Sequence, residues 1–424
     1  MDATSRTQCV IAGCGPAGAV LGLLLARSGV QVVVLEKHRD FLRDFRGDTI
    51  HASTLTLIDE LGLGEEFRRL PLQIVERLVV ETDDGDRGFA DFRRLPGPHK
   101  EIAFLPQWDF LDFVTRHAAE EPGFTLLLEA EATGLLQDGD QVTGLSYRDA
   151  GGERHEIRAD LTVAADGRTS VLRQAARLRA TRFGAPMDVL WFRLSRRDGD
   201  VNRTAGRLAA GRLLIRINRG DYWQTAYVIP KGGFERLREG GIAEFRADLA
   251  RLEPFLADRL DAELPDWGAM SKLDVQVDRL PRWHRPGFLC LGDAAHAMSP
   301  IGGVGINLAV QDAVAAARVL AGPLRTGRLT EDHLAAVQRR RRLPTVVTQR
   351  GQRFIQDRFL APLMAGRGGG GTPLPLKVLD RVPLLQAIPA YLVGIGVRPE
   401  HVRAKLTATP ALRRRPPSGS RSRA

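Results

Sequence analysis

The chain has 424 residues, 43% hydrophobic and 26% charged, with 61 Lys+Arg against 51 Asp+Glu for a net charge of +10. That length calls for two or three interleaved domains, and those fractions exclude wholesale disorder. Three cysteines, Cys9, Cys14 and Cys290, form no CxxC pair, which argues against a disulfide framework or a cysteine-held metal and fits a reducing, cytoplasmic setting.

The positive excess is local. Arg339 to Arg342 form one run, and Arg413, Arg414, Arg415, Arg421 and Arg423 crowd a Pro/Ser-rich segment. With no aromatics between them, they read as a solvated helix face and a disordered basic tail (411–424), not as a nucleic-acid surface. Cys9 to Ala26 carries no charge, but Gly13, Gly15, Pro16, Gly18 and Gly22 break it. A strand, turn and helix account for it better than a signal peptide or membrane span.

In chain order, Cys9–Ala12 is an apolar strand, Ala19–Arg27 a helix stopped by Gly29, and Val30–Leu35 a second strand ending at Glu36. Together they make one β-α-β unit. Leu55–Leu63 reads as a helix closed by Gly62. Thr125–Leu136, Val142–Tyr147 and Glu153–Ile157 alternate as an antiparallel meander, and Leu161–Ala165 is a buried strand ending at Asp166-Gly167. Met187–Leu194, Gly211–Ile217 and Tyr222–Pro230 are strands around a helix at Ile242–Leu256. Gly287–Leu291 then leads through Gly292-Asp293 into a long helix reaching Leu320.

Gly13-x-Gly15-x-x-Gly18 follows a strand and opens a helix, and Glu36 lies 18 residues beyond Gly18. Gly13 permits the tight turn, Gly15 lets a pyrophosphate approach the backbone, and Gly18 allows close helix–strand packing. The helix start attracts phosphate, and Glu36 can accept from a ribose diol. This motif fits FAD and NAD equally.

Two later runs separate them. Leu161-Thr-Val-Ala-Ala-Asp166-Gly167-Arg168 and Gly292-Asp293-Ala-Ala-His296-Ala-Met-Ser-Pro300-Ile-Gly302-Gly303-Val-Gly305-Ile306-Asn307 resemble the Asp-Gly and Gly-Asp signatures of the class A flavoprotein monooxygenases. These are the aromatic hydroxylases typified by p-hydroxybenzoate hydroxylase. The resemblance implies an α/β fold, with a glutathione-reductase-like, Rossmann-type FAD domain assembled from 1–75, 106–180 and 286–345. It also implies an inserted, mainly antiparallel β substrate domain (76–105 and 181–285) and a C-terminal helical region (346–410). FAD would then be held by Gly13, Gly15, Pro16, Ala17, Gly18, Glu36, Lys37, Arg46, Gln107, Ala132, Asp166, Gly167, Gly292 and Asp293. The loop Pro300, Gly302, Gly303, Gly305, Ile306 and Asn307 would lie against the flavin ring, with Asp293 on the ribityl chain.

In that family the histidine equivalent to His296 is scaffold rather than base, and Pro300 sets shape; no acid–base residue carries over. Asp312 is expected on the helix beyond the loop, facing solvent or a neighbouring arginine. Trp223, Thr225 and Tyr227 share one face of a predicted strand, and Val189, Trp191 and Arg193 one face of another. Trp191, Trp223 and Tyr227, with His51 and Trp108, are the candidate substrate-pocket residues, with ordinary sheet core as the competing account of the aromatics.

The resemblance implies an NAD(P)H-dependent monooxygenase that inserts oxygen from O2 into an aromatic, phenolic or quinone-like substrate through a flavin C4a-hydroperoxide. One dinucleotide fingerprint leaves the nicotinamide, NADH or NADPH, to bind transiently. The alternatives are a reductase of the geranylgeranyl-reductase type and, behind it, a non-enzymatic flavin-binding protein. A halogenase is disfavoured because Thr225-Ala-Tyr227-Val-Ile-Pro230 lacks the Trp-x-Trp-x-Ile-Pro tryptophans. No metal and no nucleic acid is expected, and the protein would be a monomer or homodimer. The apolar, proline-punctuated stretch Pro373–Val397 would cap the pocket in preference to forming a dimer contact, with peripheral membrane contact least favoured.

Overall fold

Cys9, Val10, Ile11 and Ala12 are all completely buried, the signature of a parallel strand covered on both faces. In the computed structural model, which describes residues 4–42, 49–364 and 372–402, this strand (Thr4–Ala12) is the centre of the first sheet. Val32–Leu35 pairs parallel on one side of it and Arg154–Ala164 on the other. Phe124–Leu127 and Phe288–Cys290 extend the sheet outward, also parallel.

The register matters most for function. Ala12 lies opposite both Leu35 and Ala164, and Ala164 lies opposite Cys290. Four strands from distant parts of the chain therefore end level with one another. Gly13, Glu36, Asp166 and Asp293 emerge at the same sheet edge, where ligands of open parallel sheets bind.

Helices Pro16–Arg27 and Gly305–Arg325 pack against each other beside this sheet. Ile301–Arg325 is long and apolar enough to cross a membrane, but 83% of its apolar window is buried inside the protein, as in a core helix. The expected Thr125–Leu136 strand breaks in two. Glu129 adopts φ +54°, and the N–H groups of Glu129 and Ala130 donate to the carbonyls of His38 and Glu36. Phe124–Leu127 thus joins the parallel sheet, and only Glu131–Asp138 enters the meander. The runs at 153–157 and 161–165 are parts of one 11-residue strand, Arg154–Ala164.

The second sheet has seven strands, with Met187–Ser195, Tyr222–Pro230 and Arg212–Asn218 adjacent at its centre. Ser271–Leu273 pairs with Met187–Ser195 at one edge, and Arg77–Thr82 and Gly85–Asp91 extend the other through a parallel pairing with Ala205–Ala209. Leu190, Phe192, Leu194, Trp223 and Tyr227 on one face pack under the helix Ile242–Leu252, against Phe245 and Leu249. Ile217, with Trp191 and Ile215 packed alongside, faces a different cluster made by Ala52, Phe92, Phe104 and Ala390.

The helix Glu331–Ile355 runs straight through the boundary expected at 345. Its arginine run is not a uniformly solvated face. Arg341 is completely buried, because one position in each helical turn must face the core. Helices Leu374–Arg381 and Ala387–Gly394 lie against Gly85–Asp91. The tail at 411–424 lies outside the described residues.

Candidate cofactor and substrate site

The glycine turn is built for close approach. Gly13 has φ +95°, and a Cβ there would run into the Ala165 carbonyl; one on Gly18 would run into the Gly13 carbonyl. Those two glycines pack protein against protein. Gly15 differs, since a Cβ there meets nothing within 4 Å, and the open volume lies at the start of the Pro16–Arg27 helix. Gly15→Val should therefore fold, at a cost of about 1 kcal/mol or less for a poorer N-cap residue. It should lose FAD, because the branched side chain fills the space left for pyrophosphate. Flavin absorbance per mole of purified protein reads this directly, and stoichiometric FAD in the variant would show the turn serves only packing.

Pro16 and Ala17 open the helix, and Glu36 is fixed beside the turn, its Oε2 accepting from Cys14 N at 3.2 Å and its Oε1 from His38 N at 3.2 Å. Lys37 is exposed. Burial, with Glu36 adding to it, pushes the Cys14 thiol up, so that residue is core and not a nucleophile. Ala132 lies in Glu131–Asp138 opposite Tyr147, two residues past the Ala130 N–H that binds the Glu36 carbonyl. Gln107 starts the helix Gln107–Ala119. Arg46 lies outside the described residues.

At the same edge Asp166 Oδ2 accepts from Leu172 N at 3.2 Å, while Oδ1 is buried with no hydrogen-bond partner. Burial raises its pKa, with Ser170 and the Leu172 backbone opposing. Gly167 turns the chain at φ +83°. Arg168 Nε donates to Asp293 Oδ2 at 2.9 Å, and both side chains are about one-third exposed (29% and 33%). The orphaned Asp166 oxygen, the open space at Gly15 and the partly exposed Asp293 carboxylate are unmet demands along one edge. A molecule with a pyrophosphate and a polyol chain, as FAD has, meets them. The Arg168–Asp293 pair was not anticipated, although Arg168 directly follows the Asp-Gly pair in sequence.

The loop after Asp293 has two consecutive left-handed residues, Gly302 (φ +75°) and Gly303 (φ +63°), a conformation that other residues adopt only under strain. Pro300 anchors it by accepting from Gly303 N at 3.0 Å. Gly305 opens the next helix, with nothing within 4 Å of its Cβ position. The N–H groups of a helix's first turn have no intrahelical acceptor, so Gly305, Ile306 and Asn307 supply partial positive charge there. The Asn307 side chain turns inward instead, its Oδ1 accepting from Ser53 Oγ at 2.8 Å and Thr54 Oγ1 at 2.7 Å.

His296 and Asp312 sit beneath the Gly292-Asp293 turn. His296 Nε2 donates to Asp312 Oδ2 at 2.6 Å, Arg341 Nε to Oδ1 at 2.8 Å, and Gly292 N to Oδ2 at 3.3 Å. Asp312 is completely buried, which corrects the solvent-facing option; an arginine is its neighbour, but inside the core. Burial alone would raise its pKa, yet His296 and Arg341 together hold it below the usual carboxylate range.

The substrate candidates separate by strand parity. Trp223 and Tyr227 are buried under the Ile242–Leu252 helix with Phe245, so they are sheet core and not pocket residues. Leu194, Phe192 and Leu190 oppose Trp223, Thr225 and Tyr227 in register; Trp191 opposes Ala226 on the other face. That other face looks toward the cofactor edge. Trp191 and Ile215 join the cluster of Ala52, Phe104 and Ala390, to which Val393 also belongs, and Val393 approaches the Gly302 Cβ position to 3.4 Å. Arg193 continues this face, its guanidinium 4.8 Å from the Tyr222 ring and 5.9 Å from that of Trp108. Arg193 thus links the Trp191 strand to Trp108 at the start of Gln107–Ala119.

His51 is buried at the start of Ala52–Glu60. Burial lowers its pKa to about 4, with the Gly302 backbone opposing, though neither ring nitrogen makes a well-formed hydrogen bond. The ring is neutral at pH 7, with one donor and one acceptor nitrogen.

Residues 6–351 match the family model described as FAD binding domain. The chain is 34% identical over 391 residues to 6-methylpretetramide 4-monooxygenase of Streptomyces rimosus, covering 91% of this chain and 92% of that one. Its fold resembles anhydrotetracycline hydroxylase OxyS of Streptomyces rimosus, with a TM-score of 0.74 and 23% identity, covering 93% and 77% of the two chains. It also resembles PqsL of P. aeruginosa, solved with 2-aminobenzoylacetate, with a TM-score of 0.72 and 23% identity, covering 86% and 99%.

Proposed function

The chain belongs to the FAD binding domain family, that of the class A aromatic flavin monooxygenases, and we propose that this FAD-dependent monooxygenase hydroxylates a fused-ring phenolic or quinone-like natural product. NADH or NADPH is the electron donor. A ring C–H bond is replaced by C–OH, the second oxygen atom of O2 leaves as water, and the nicotinamide gives up a hydride. The observation that carries this reading is the aromatic–apolar wall of Trp191, Ile215 and Ile217, clustered with Val393, which approaches the Gly302 loop. A flat substrate fits between such a wall and a flavin. The name of the 34%-identical relative, a monooxygenase of 6-methylpretetramide, supports the substrate class.

Bound FAD supplies the redox chemistry and the activation of oxygen. The chain's residues do the rest. The apolar wall and the Ala387–Gly394 helix exclude water, which strengthens every polar interaction inside. Backbone N–H groups of Gly305, Ile306 and Asn307 favour negative charge at the loop. Trp191 and Trp108 hold an aromatic face in place, so that one ring carbon is presented. Neutral His51 offers a hydrogen bond without adding charge.

The test is nicotinamide consumption in air by the purified flavoprotein, with and without a panel of phenols, quinones and polycyclic aromatics. A substrate should stimulate it, with hydroxylated product matching most of the nicotinamide used and carrying 18O from labelled O2. Turnover that proceeds without O2 and leaves no oxygen in the product would instead identify a reductase.

A further inference from the structure

The two C-terminal helices bury one face and leave the other uncovered. Ala390 is buried, and Gly394 packs against Phe92 and Leu95. On the outer side Leu374, Leu384, Ile388 and Leu392 are 72%, 71%, 58% and 51% exposed. Isolated exposed leucines need no explanation; this many within one short helical pair form a patch.

A second stripe adjoins it. Arg339, Leu343, Val347, Arg350 and Phe354 follow at spacings of three, four or seven along Glu331–Ile355, hence on one helix face, and all are exposed. Thr348, next to Val347 on this helix, and Leu392 of the last one line the same small cavity, so the two helices adjoin.

The charge along the helical stripe is mainly positive, with exposed Asp357 as the acid at its far end. From Arg339 to Gln356 there is no acidic residue, and residues 403–424 carry seven Lys or Arg and no Asp or Glu. The two acids in 372–402 are committed elsewhere: Asp380 binds Arg87 and Gly88 N, and Glu400 is buried against Arg340.

We propose that this face docks on an anionic phospholipid surface, its leucines and Phe354 entering the headgroup boundary and its arginines meeting lipid phosphates. Apolar insertion plus basic residues is the pairing that holds peripheral proteins at membranes. A second copy fits the face poorly, since a twofold contact would set Arg339 and Arg350 against their own images.

The experiment is sedimentation of the full-length flavoprotein with vesicles of phosphatidylcholine alone or mixed with phosphatidylglycerol. Binding to the anionic vesicles should exceed binding to the neutral ones by about tenfold or more and weaken in high salt. Leu374→Asp with Leu384→Asp, both outside the Ala387–Gly394 helix, should cut it by about tenfold or more at unchanged flavin content. Equal binding to both vesicle types, or undiminished binding by the variant, would overturn the proposal. So would a dimer in gel filtration that the same substitutions dissociate, because a second copy would then cover the face.

Discussion

Asp293→Ala should give a folded protein that purifies colourless. The carboxylate stands at the end of Phe288–Cys290, level with the glycine turn, and among the described residues only its Oδ2 is engaged, by Arg168. Losing that ion pair, about one-third exposed, costs about 1 kcal/mol or less. Losing a charge-assisted hydrogen bond to a ribityl hydroxyl costs about 1.5–3 kcal/mol, equivalent to about tenfold to a hundredfold in FAD affinity. If both carboxylate oxygens serve the polyol when FAD displaces Arg168, the loss is larger. Flavin absorbance and a thermal melt separate the two effects. Asp293→Asn, which keeps one acceptor, should fall between wild type and alanine. Normal flavin content in the alanine variant, with an unchanged melt, would place the ribityl contact elsewhere.

The cofactor edge was legible in sequence because each element carries its own local signal. Glycines mark tight turns, an acid follows three of the four strands that end at this edge, and parallel strands end together once their order is known. Residues 13, 36, 166 and 293 converge for that reason alone. The substrate face was less legible. Period-two alternation shows that Trp191 and Trp223 occupy regular strand positions, but not which face meets the cofactor and which meets a helix. The amphipathic Ile242–Leu252 helix settles that by covering Trp223 and Tyr227. Asp312 and Arg341 were legible as helix residues, yet their pairing spans 29 positions and depends on how two helices cross. Arg341 shows the limit well, since a run of four arginines gives no local sign that one of them is completely buried.

That buried arginine sets the second large expected effect. Asp312→Ala removes the partner of Arg341 Nε, of His296 Nε2 and of Gly292 N at once. Glu400, 3.7 Å from Arg341, cannot replace a direct bond. An uncompensated buried guanidinium costs about 3–5 kcal/mol, a large part of a typical folding free energy. Replacing both charges at once, Asp312→Leu with Arg341→Met, should recover much of that stability, because two apolar groups need no partners. Flavin binding should not recover with it. Gly292 N would still lack its acceptor and His296 its anchor, so the turn bearing Asp293 would be less well held. The native pair also predicts a pH dependence. Asp312 has a depressed pKa when folded, so its contribution is fully present above the unfolded carboxylate pKa near 4; it is lost as pH falls through the lower folded value. Denaturant melts of wild type and both variants between neutral and acid pH test this, the double variant losing less stability on acidification. A double variant as unstable as Asp312→Ala would show that the carboxylate's bonds to His296 and Gly292, and not the stranded arginine, carry the cost.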